Sequence, residues 1–208
     1  MGEGQGLLTN AALVEMFRLL KNRDDGFRTI ADVALINERT GERVNVPPQE
    51  GAEIQRTMAN LERFINDDAL SGLDPLIKMA VIHHQFESIH PFPDGNGRIG
   101  RILNVLYLTK QGLLDTPILY LSRHINRNRS DYYRLLQSVR DEGNWEDWVL
   151  YILRAIEETA AITVEMVEAF REQMADYKRR IRSEHPKFYS HDLLNNLFRH
   201  PYTRIDFV

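Results

Sequence analysis

His90-Pro91-Phe92-Pro93-Asp94-Gly95-Asn96-Gly97-Arg98-Ile99-Gly100-Arg101 is the stretch whose reading decides the fold. Ile99, Ile102, Leu103 and Leu106 follow at helical spacing, so a helix is expected to begin near Gly95, fed by a loop from His90. The chemistry gathered at this junction suits a bound polyphosphate. Glycines let main chain approach phosphate oxygens, and the free N–H groups of a helix start attract anions. Arg98 and Arg101, three residues apart on one helical face, can grip the same anion with planar, permanently charged donors. Asp94, a carboxylate beside phosphates, suits a magnesium ion (Mg2+). Pro91 pushes His90 toward an extended loop, where an imidazole of near-neutral pKa can accept a proton from a hydroxyl.

Two other readings use the same letters. Gly95-Asn96-Gly97-Arg98-Ile99-Gly100 spells the dinucleotide fingerprint, with Asp115 about twenty residues on. That fingerprint needs an apolar strand before it, which Ile89-His90-Pro91-Phe92-Pro93-Asp94 cannot supply. His83, His84, Glu87 and His90 suggest zinc, but the spacing is not H-E-x-x-H, and histidines among Val81, Ile82 and Phe86 read as packed residues. Phe92 reads as a packing anchor in preference to a substrate contact.

Upstream, Asp74-Pro75 is a cap followed by a first-turn proline, opening a helix that buries Leu76, Met79, Ala80, Ile82 and Phe86. Downstream, the motif helix is expected to run to about Gln111 and stop at Gly112. Pro117 to Leu121 reads as a buried connector. Asn128 or Ser130 caps a helix through Tyr132, Tyr133, Leu136 and Val139. A long helical pattern, with breaks, runs from Asn144 to about Ser183. Its run Lys178-Arg179-Arg180-Ile181-Arg182 reads as a solvated end, since it lacks the aromatic residues of a nucleic-acid surface. Ser190 opens a last helix through Leu193, Leu194, Leu197 and Phe198. At the other end, Thr9 or Asn10 caps a first helix, and Asn22 to Arg28 reads as a polar loop. Val33-Ala34-Leu35-Ile36 and Arg43-Val44-Asn45-Val46 flank a Thr40-Gly41 turn, which predicts a hairpin. After Pro47-Pro48 a helix places Ile54, Met58, Leu61, Phe64 and Ile65 on one face.

The 208 residues are 43% hydrophobic and 27% charged, the balance of an ordinary globular chain. A net charge of −4 favours neither nucleic acid nor an anionic membrane. The absence of cysteine excludes disulfides and thiol catalysis. No apolar run reaches membrane-spanning length, and the start lacks the regions of a signal peptide, so a cytoplasmic location is expected.

The His90–Arg101 stretch resembles the signature of the Fic family, His-Pro-Phe-x-Asp/Glu-Gly-Asn-Gly-Arg-x-x-Arg, with every fixed position filled. The likeness extends to the lead-in Phe86-Glu87-Ser88-Ile89, the later Tyr132-Tyr133-Arg134-Leu135-Leu136 and the hairpin ending in Pro47-Pro48. It covers roughly residues 8 to 200. The resemblance implies an all-α fold, roughly six to eight helices bundled around the motif helix, with one hairpin flap. It implies transfer of AMP from ATP to a Tyr, Ser or Thr hydroxyl of a protein, the chain itself included. His90 would be the base, and Asp94 would hold magnesium. Gly95, Asn96 and Gly97 would cradle phosphate oxygens, while Arg98 and Arg101 would bind the β- and γ-phosphates. Tyr132 and Tyr133 read equally as core aromatics or as residues at adenine. The flap residues Arg43, Val44, Asn45 and Val46 would dock the target by strand addition. Doc relatives, which phosphorylate, carry lysine where this chain has Gly97, so glycine argues for AMP transfer.

The rival readings are transfer of UMP or phosphocholine on the same fold, and a regulatory binding module with a dormant nucleotide site. Expected partners are ATP and a hydroxyl-bearing protein, with a second copy of the chain as a further candidate and no membrane or nucleic acid. Residues 1–8 read as a disordered start, 9–183 as the Fic domain with its long C-terminal helices, and 184–208 as an appendage resembling the opening of a winged-helix domain. The family's inhibitory helix, Ser/Thr-x-x-x-Glu-Gly/Asn, is expected to be absent. Ser138-Val139-Arg140-Asp141-Glu142-Gly143 matches it in letters but reads as an ordinary helix end.

Overall fold

Two helices carry the site, α3 (Pro75–Ile89) and α4 (Asn96–Lys110), and the quoted stretch joins them. The computed structural model describes residues 8–29, 35–36 and 43–199, the side chains at 35–36 and 43–45 excepted. α3 starts as its sequence dictates. Asp74 Oδ1 accepts the Leu76 N–H at 2.8 Å, and Pro75 occupies the first turn, where its missing N–H costs nothing. Lys78, Met79, Ala80, Ile82, His83, His84, Phe86, Glu87 and Ile89 are all buried, so nearly every face of α3 is covered. α3 therefore shares the centre of the bundle with the motif helix. α4 crosses it closely at Gly100, where a Cβ would sit 2.8 Å from Glu87 Oε1, 3.2 Å from Phe86 and 3.3 Å from His83.

α1 (Asn10–Lys21) is capped by Thr9, whose Oγ1 accepts the Ala12 N–H, and it buries Leu13 and Phe17. α2 (Gly51–Asn66) packs on α3 and α1 and buries Ile54, Met58, Leu61 and Ile65. The Asn66 side chain both accepts from the Leu8 N–H and donates to its carbonyl, pinning the chain ahead of α1. Between α1 and α2, β1 (Leu35–Ile36) pairs antiparallel with β2 (Arg43–Asn45), Leu35 opposite Asn45 and Ile36 opposite Arg43. The Thr40-Gly41 turn lies outside the described residues. The expected hairpin flap is not shown.

After α4 the chain forms α5 (Ser122–Arg127), a short helix between the expected connector, Pro117 to Leu121, and the expected cap at Asn128 or Ser130, and then α6 (Arg129–Glu142). α6 ends at Gly143, whose φ of 69° is the left-handed cap that glycine supplies without strain. α7 (Trp145–Glu184) is one continuous helix where breaks were expected. Trp148 is fully buried and donates its Nε1–H to the Ala80 carbonyl at 2.9 Å, tying α7 to α3. The described residues thus form an all-α fold of eight helices. Residues up to Thr159 make one unit, and Ala160 onward, with the end of α7 and α8 (His191–Arg199), make a second. In the second unit Tyr177 meets the Phe198 ring edge-on at 5.5 Å, and Ser190 Oγ caps α8 by accepting the Leu193 N–H. Among the described residues no helix is long and apolar enough to cross a membrane.

Candidate functional site

His90 terminates α3 with φ 50° and ψ 58°, in the left-handed region. This corrects the expected extended geometry. Its N–H closes the last turn on the Phe86 carbonyl at 3.0 Å, and that cap outweighs the local preference of a residue preceding proline. Phe92 is the anchor of the loop. It is fully buried, stacks on Phe17 with centroids 4.6 Å apart and rings 4° from parallel, and touches Phe27 and Phe86. The buried Asn96 side chain clips the loop shut, its Oδ1 accepting the Phe92 N–H at 2.9 Å and its Nδ2 donating to the Phe92 carbonyl at 2.8 Å. With its amide turned to Phe92, Asn96 presents its main-chain N–H at the start of α4.

Gly95 turns the chain into α4 with φ 83°. As first-turn residues, Asn96 and Gly97 have N–H groups without intrahelical acceptors. A Cβ on Gly97 would lie 3.1 Å from Arg101 Nη1 and 3.8 Å from Glu87 Oε1, so the bare glycine leaves room for the arginine. Arg101 is held by its Nε–H donating to Ser122 Oγ at 2.7 Å, which makes α5 the support of the guanidinium. A polar cleft of about 330 Å³ is lined by His90, Asp94, Gly95, Asn96, Gly97, Arg98, Arg101 and, across from them, Tyr133. Glu87, which the sequence placed only in the lead-in and in a rejected zinc set, also lines it, as do Asn126 and Arg129, to which the sequence pointed in no way.

Asp94 stands at the cleft's edge with 62% of its side chain exposed. The Lys21 ammonium contacts its Oδ2, the Gly95 N–H donates to its Oδ1 at 2.5 Å, and Arg98 Nη2 lies 4.0 Å away. These contacts, Lys21 foremost, hold its carboxyl below the usual carboxylate range. Among the described residues no three His, Asp or Glu side chains converge as a metal cage. One ionised carboxylate next to a polyphosphate cradle is the donor set magnesium uses when phosphates and water complete its shell. Asp94 fits.

Burial depresses three histidines. His90 falls to about 4, although the Glu87 main chain pulls the other way, and its buried Nδ1 has no hydrogen-bond partner among the described residues. His83 falls to about 3 and His84 to about 4, so all three imidazoles are neutral near pH 7. Glu87 moves oppositely. Burial raises it to about 7 against the opposing pull of Arg101 and Arg140. Each histidine gains a proton on unfolding between its folded value and 6.5, whereas Glu87 loses one between 4.5 and 7. Three groups outweigh one, so the thermal midpoint should fall as pH drops from 6.5 to 4.5. A flat or rising midpoint in a calorimetric series over that range would contradict neutral buried rings.

His83 and His84 serve packing. His83 Nε2 lies 3.0 Å from the Tyr132 hydroxyl and its ring stacks on Trp148, while His84 Nε2 bonds the Leu136 carbonyl at 3.2 Å. Tyr132 is likewise a core aromatic, 4% exposed and wedged against Trp148, though its edge reaches the cleft. Tyr133 is half exposed and lines the cleft. Glu142 is exposed at the end of α6 and does not line the cleft. The side chains of Arg43, Val44 and Asn45 lie outside the described residues, and Val46 is 57% exposed. The loop read as polar ends inward: Arg28 is 4% exposed and donates Nε–H to the His90 carbonyl at 2.8 Å.

Residues 8–108 match the Fic/DOC family, and residues 173–208 match the C-terminal domain of SoFic-like protein adenylyltransferases. A protein adenylyltransferase Fic from Culex quinquefasciatus is 30% identical over 168 residues, covering 72% of this chain and 32% of that protein. Its counterpart in Drosophila erecta is 32% identical over 115 residues, 55% of this chain and 22% of that one. The chain thus spans about a fifth to a third of the length of these curated relatives. Among solved structures, a Fic family protein from Desulfovibrio desulfuricans superposes with a TM-score of 0.65 at 23% identity, covering 93% of this chain and 57% of that one. Fic-1 from C. elegans gives 0.56 at 23% identity, over 79% and 44%.

Proposed function

Because the chain belongs to the Fic/DOC family, we propose that it transfers AMP from ATP to a hydroxyl side chain of a protein, itself included. The observation that best supports this is the cleft in which a neutral imidazole, an ionised carboxylate, the open first turn of α4 and two arginines face one another. The N–H groups of Asn96 and Gly97 would receive phosphate oxygens, and Arg98 and Arg101 would clamp the outer phosphates. Tyr133 would lie at the base. Asp94 would hold magnesium, which neutralises phosphate charge when bound. The target hydroxyl would attack the α-phosphorus in line, and His90 would take its proton. The new O–P bond would form as the bond to the β-phosphate oxygen breaks, and pyrophosphate would leave with the electron pair. A free pKa of about 4 makes His90 a weak base. The negative charge of bound triphosphate would raise it toward the working range.

The direct test is incubation with magnesium and ATP labelled at the α-phosphate, reading label on the chain and on added proteins. Label from the γ-phosphate instead would mean phosphorylation, and a panel with UTP and CDP-choline separates the other transferred groups. One variant probes the metal side. Lys21 competes for Asp94 in the resting cleft, so Lys21→Met should lower the magnesium concentration that half-saturates transfer. An exposed ion pair contributes at most ~1 kcal/mol, so the change should be no more than about fivefold. A higher magnesium requirement would mean that Lys21 orients Asp94.

A further inference from the structure

Arg28 is buried 62 positions before the residue whose carbonyl it grips. Its Nε–H donates to the His90 carbonyl at 2.8 Å, and Nη2 donates to the Pro48 carbonyl at 2.5 Å and the Ile89 carbonyl at 3.3 Å. Its own main-chain N–H donates to the Pro91 carbonyl at 2.8 Å. All three carbonyls from Ile89 to Pro91 are therefore taken by one residue. We propose that Arg28 is a positioning residue for the base: it locks the left-handed turn at His90 by bridging the end of α3 to the chain that leads from β2 into α2. The inference rests on the reading of His90 as the proton acceptor.

The physical need is plain. A non-glycine residue at φ 50° is held against its preference, by about 1–3 kcal/mol, and persists only where surroundings over-determine it. The last carbonyls of a helix also lack intrahelical donors and carry the negative end of its dipole. A guanidinium answers both needs, since its rigid fork satisfies several acceptors at once and its charge suits the helix end. Lysine cannot copy this, because one ammonium cannot span carbonyls on two separate segments with fixed geometry. Asn96 holds the loop from the α4 side and Phe17 of α1 stacks on Phe92, while Arg28 holds it from the end of α3. Those α4-side contacts do not involve Arg28, so the phosphate cradle should survive its removal.

The test compares Arg28→Met and Arg28→Lys with the unaltered chain, reading AMP transfer, ATP affinity, thermal midpoint and the imidazole NMR signals of His90. Those signals are identified by their loss in His90→Gln. Both variants should bind ATP within a few fold of the parent yet turn over about 10²-fold more slowly, the scale of a ~1 Å misplacement of a reacting group. The His90 signals should move in both, and those of His83 and His84 should stay. Lysine restoring turnover would overturn the proposal, because charge without bridging would then suffice. So would equal loss of ATP affinity and rate, unmoved His90 signals, or loss of the folded state in both variants. If the unaltered chain transfers no AMP, the functional reading fails by itself, and the NMR comparison still decides what Arg28 does.

Discussion

Replacing His90 with asparagine should lower the rate of AMP transfer by ~10²–10⁴-fold, the range for losing a general base, while ATP affinity stays near that of the parent. Asparagine is the informative choice because position 90 is left-handed, a conformation that asparagine tolerates better than alanine. The variant keeps the turn and removes the proton acceptor. Its partners in the cleft do not depend on the ring, since Asn96 is clipped to Phe92 and Arg101 is held by Ser122. Labelled-ATP turnover beside a binding isotherm gives the two numbers needed. Equal loss in both would make His90 a support of the loop.

Arg101→Ala should weaken ATP by about 10–100-fold, the equivalent of a lost charge-assisted hydrogen bond at ~1.5–3 kcal/mol, and should weaken ADP much less. The difference arises because Arg101 is assigned to the terminal phosphate. Two further readouts sharpen it. Ser122→Ala keeps the charge but frees the guanidinium, so it should produce a smaller loss of the same kind. Arg101 also pulls the Glu87 carboxyl down, so its removal should raise Glu87 above about 7 and keep it protonated to higher pH. Loss of ATP and ADP affinity in equal measure would move Arg101 to an inner phosphate.

The parts of this site that the sequence announces are those whose chemistry is local. Asp74-Pro75 starts α3 where expected, Gly143 ends α6, and the glycines around Asn96 mark an open helix start. Phe92 could be read as an anchor because a loop holding functional groups needs one. The parts that escaped are made by approach between distant segments. Lys21 reaches Asp94 from the end of α1, Ser122 supports Arg101 from α5, and Arg28 reaches three carbonyls from a stretch that reads as solvent-facing. Nothing in the spacing of these residues marks them. Tyr132 and Tyr133 show the opposite limit. They are adjacent in sequence and alike in chemistry, yet the turn of α6 buries one in the core and leaves the other half exposed. Hydrophobic pattern alone could not divide them.

Asn96 and Gly97 form the dipeptide in which an asparagine amide most readily cyclises onto the next main-chain nitrogen and sheds ammonia, a common route of chemical ageing. In this chain both polar atoms of the Asn96 amide are engaged by Phe92, and the Gly97 nitrogen belongs to the first turn of α4. Ring closure would require the loop to open and that turn to unwind together. The shelf life of the site is then governed by the frequency of local opening and not by the intrinsic lability of the dipeptide. A nucleotide seated on the turn would lengthen it. Once the amide had become an acid, the Phe92 carbonyl would lose its donor and a negative charge would be buried in the loop that carries the cradle. Wear would begin at the phosphate cradle itself.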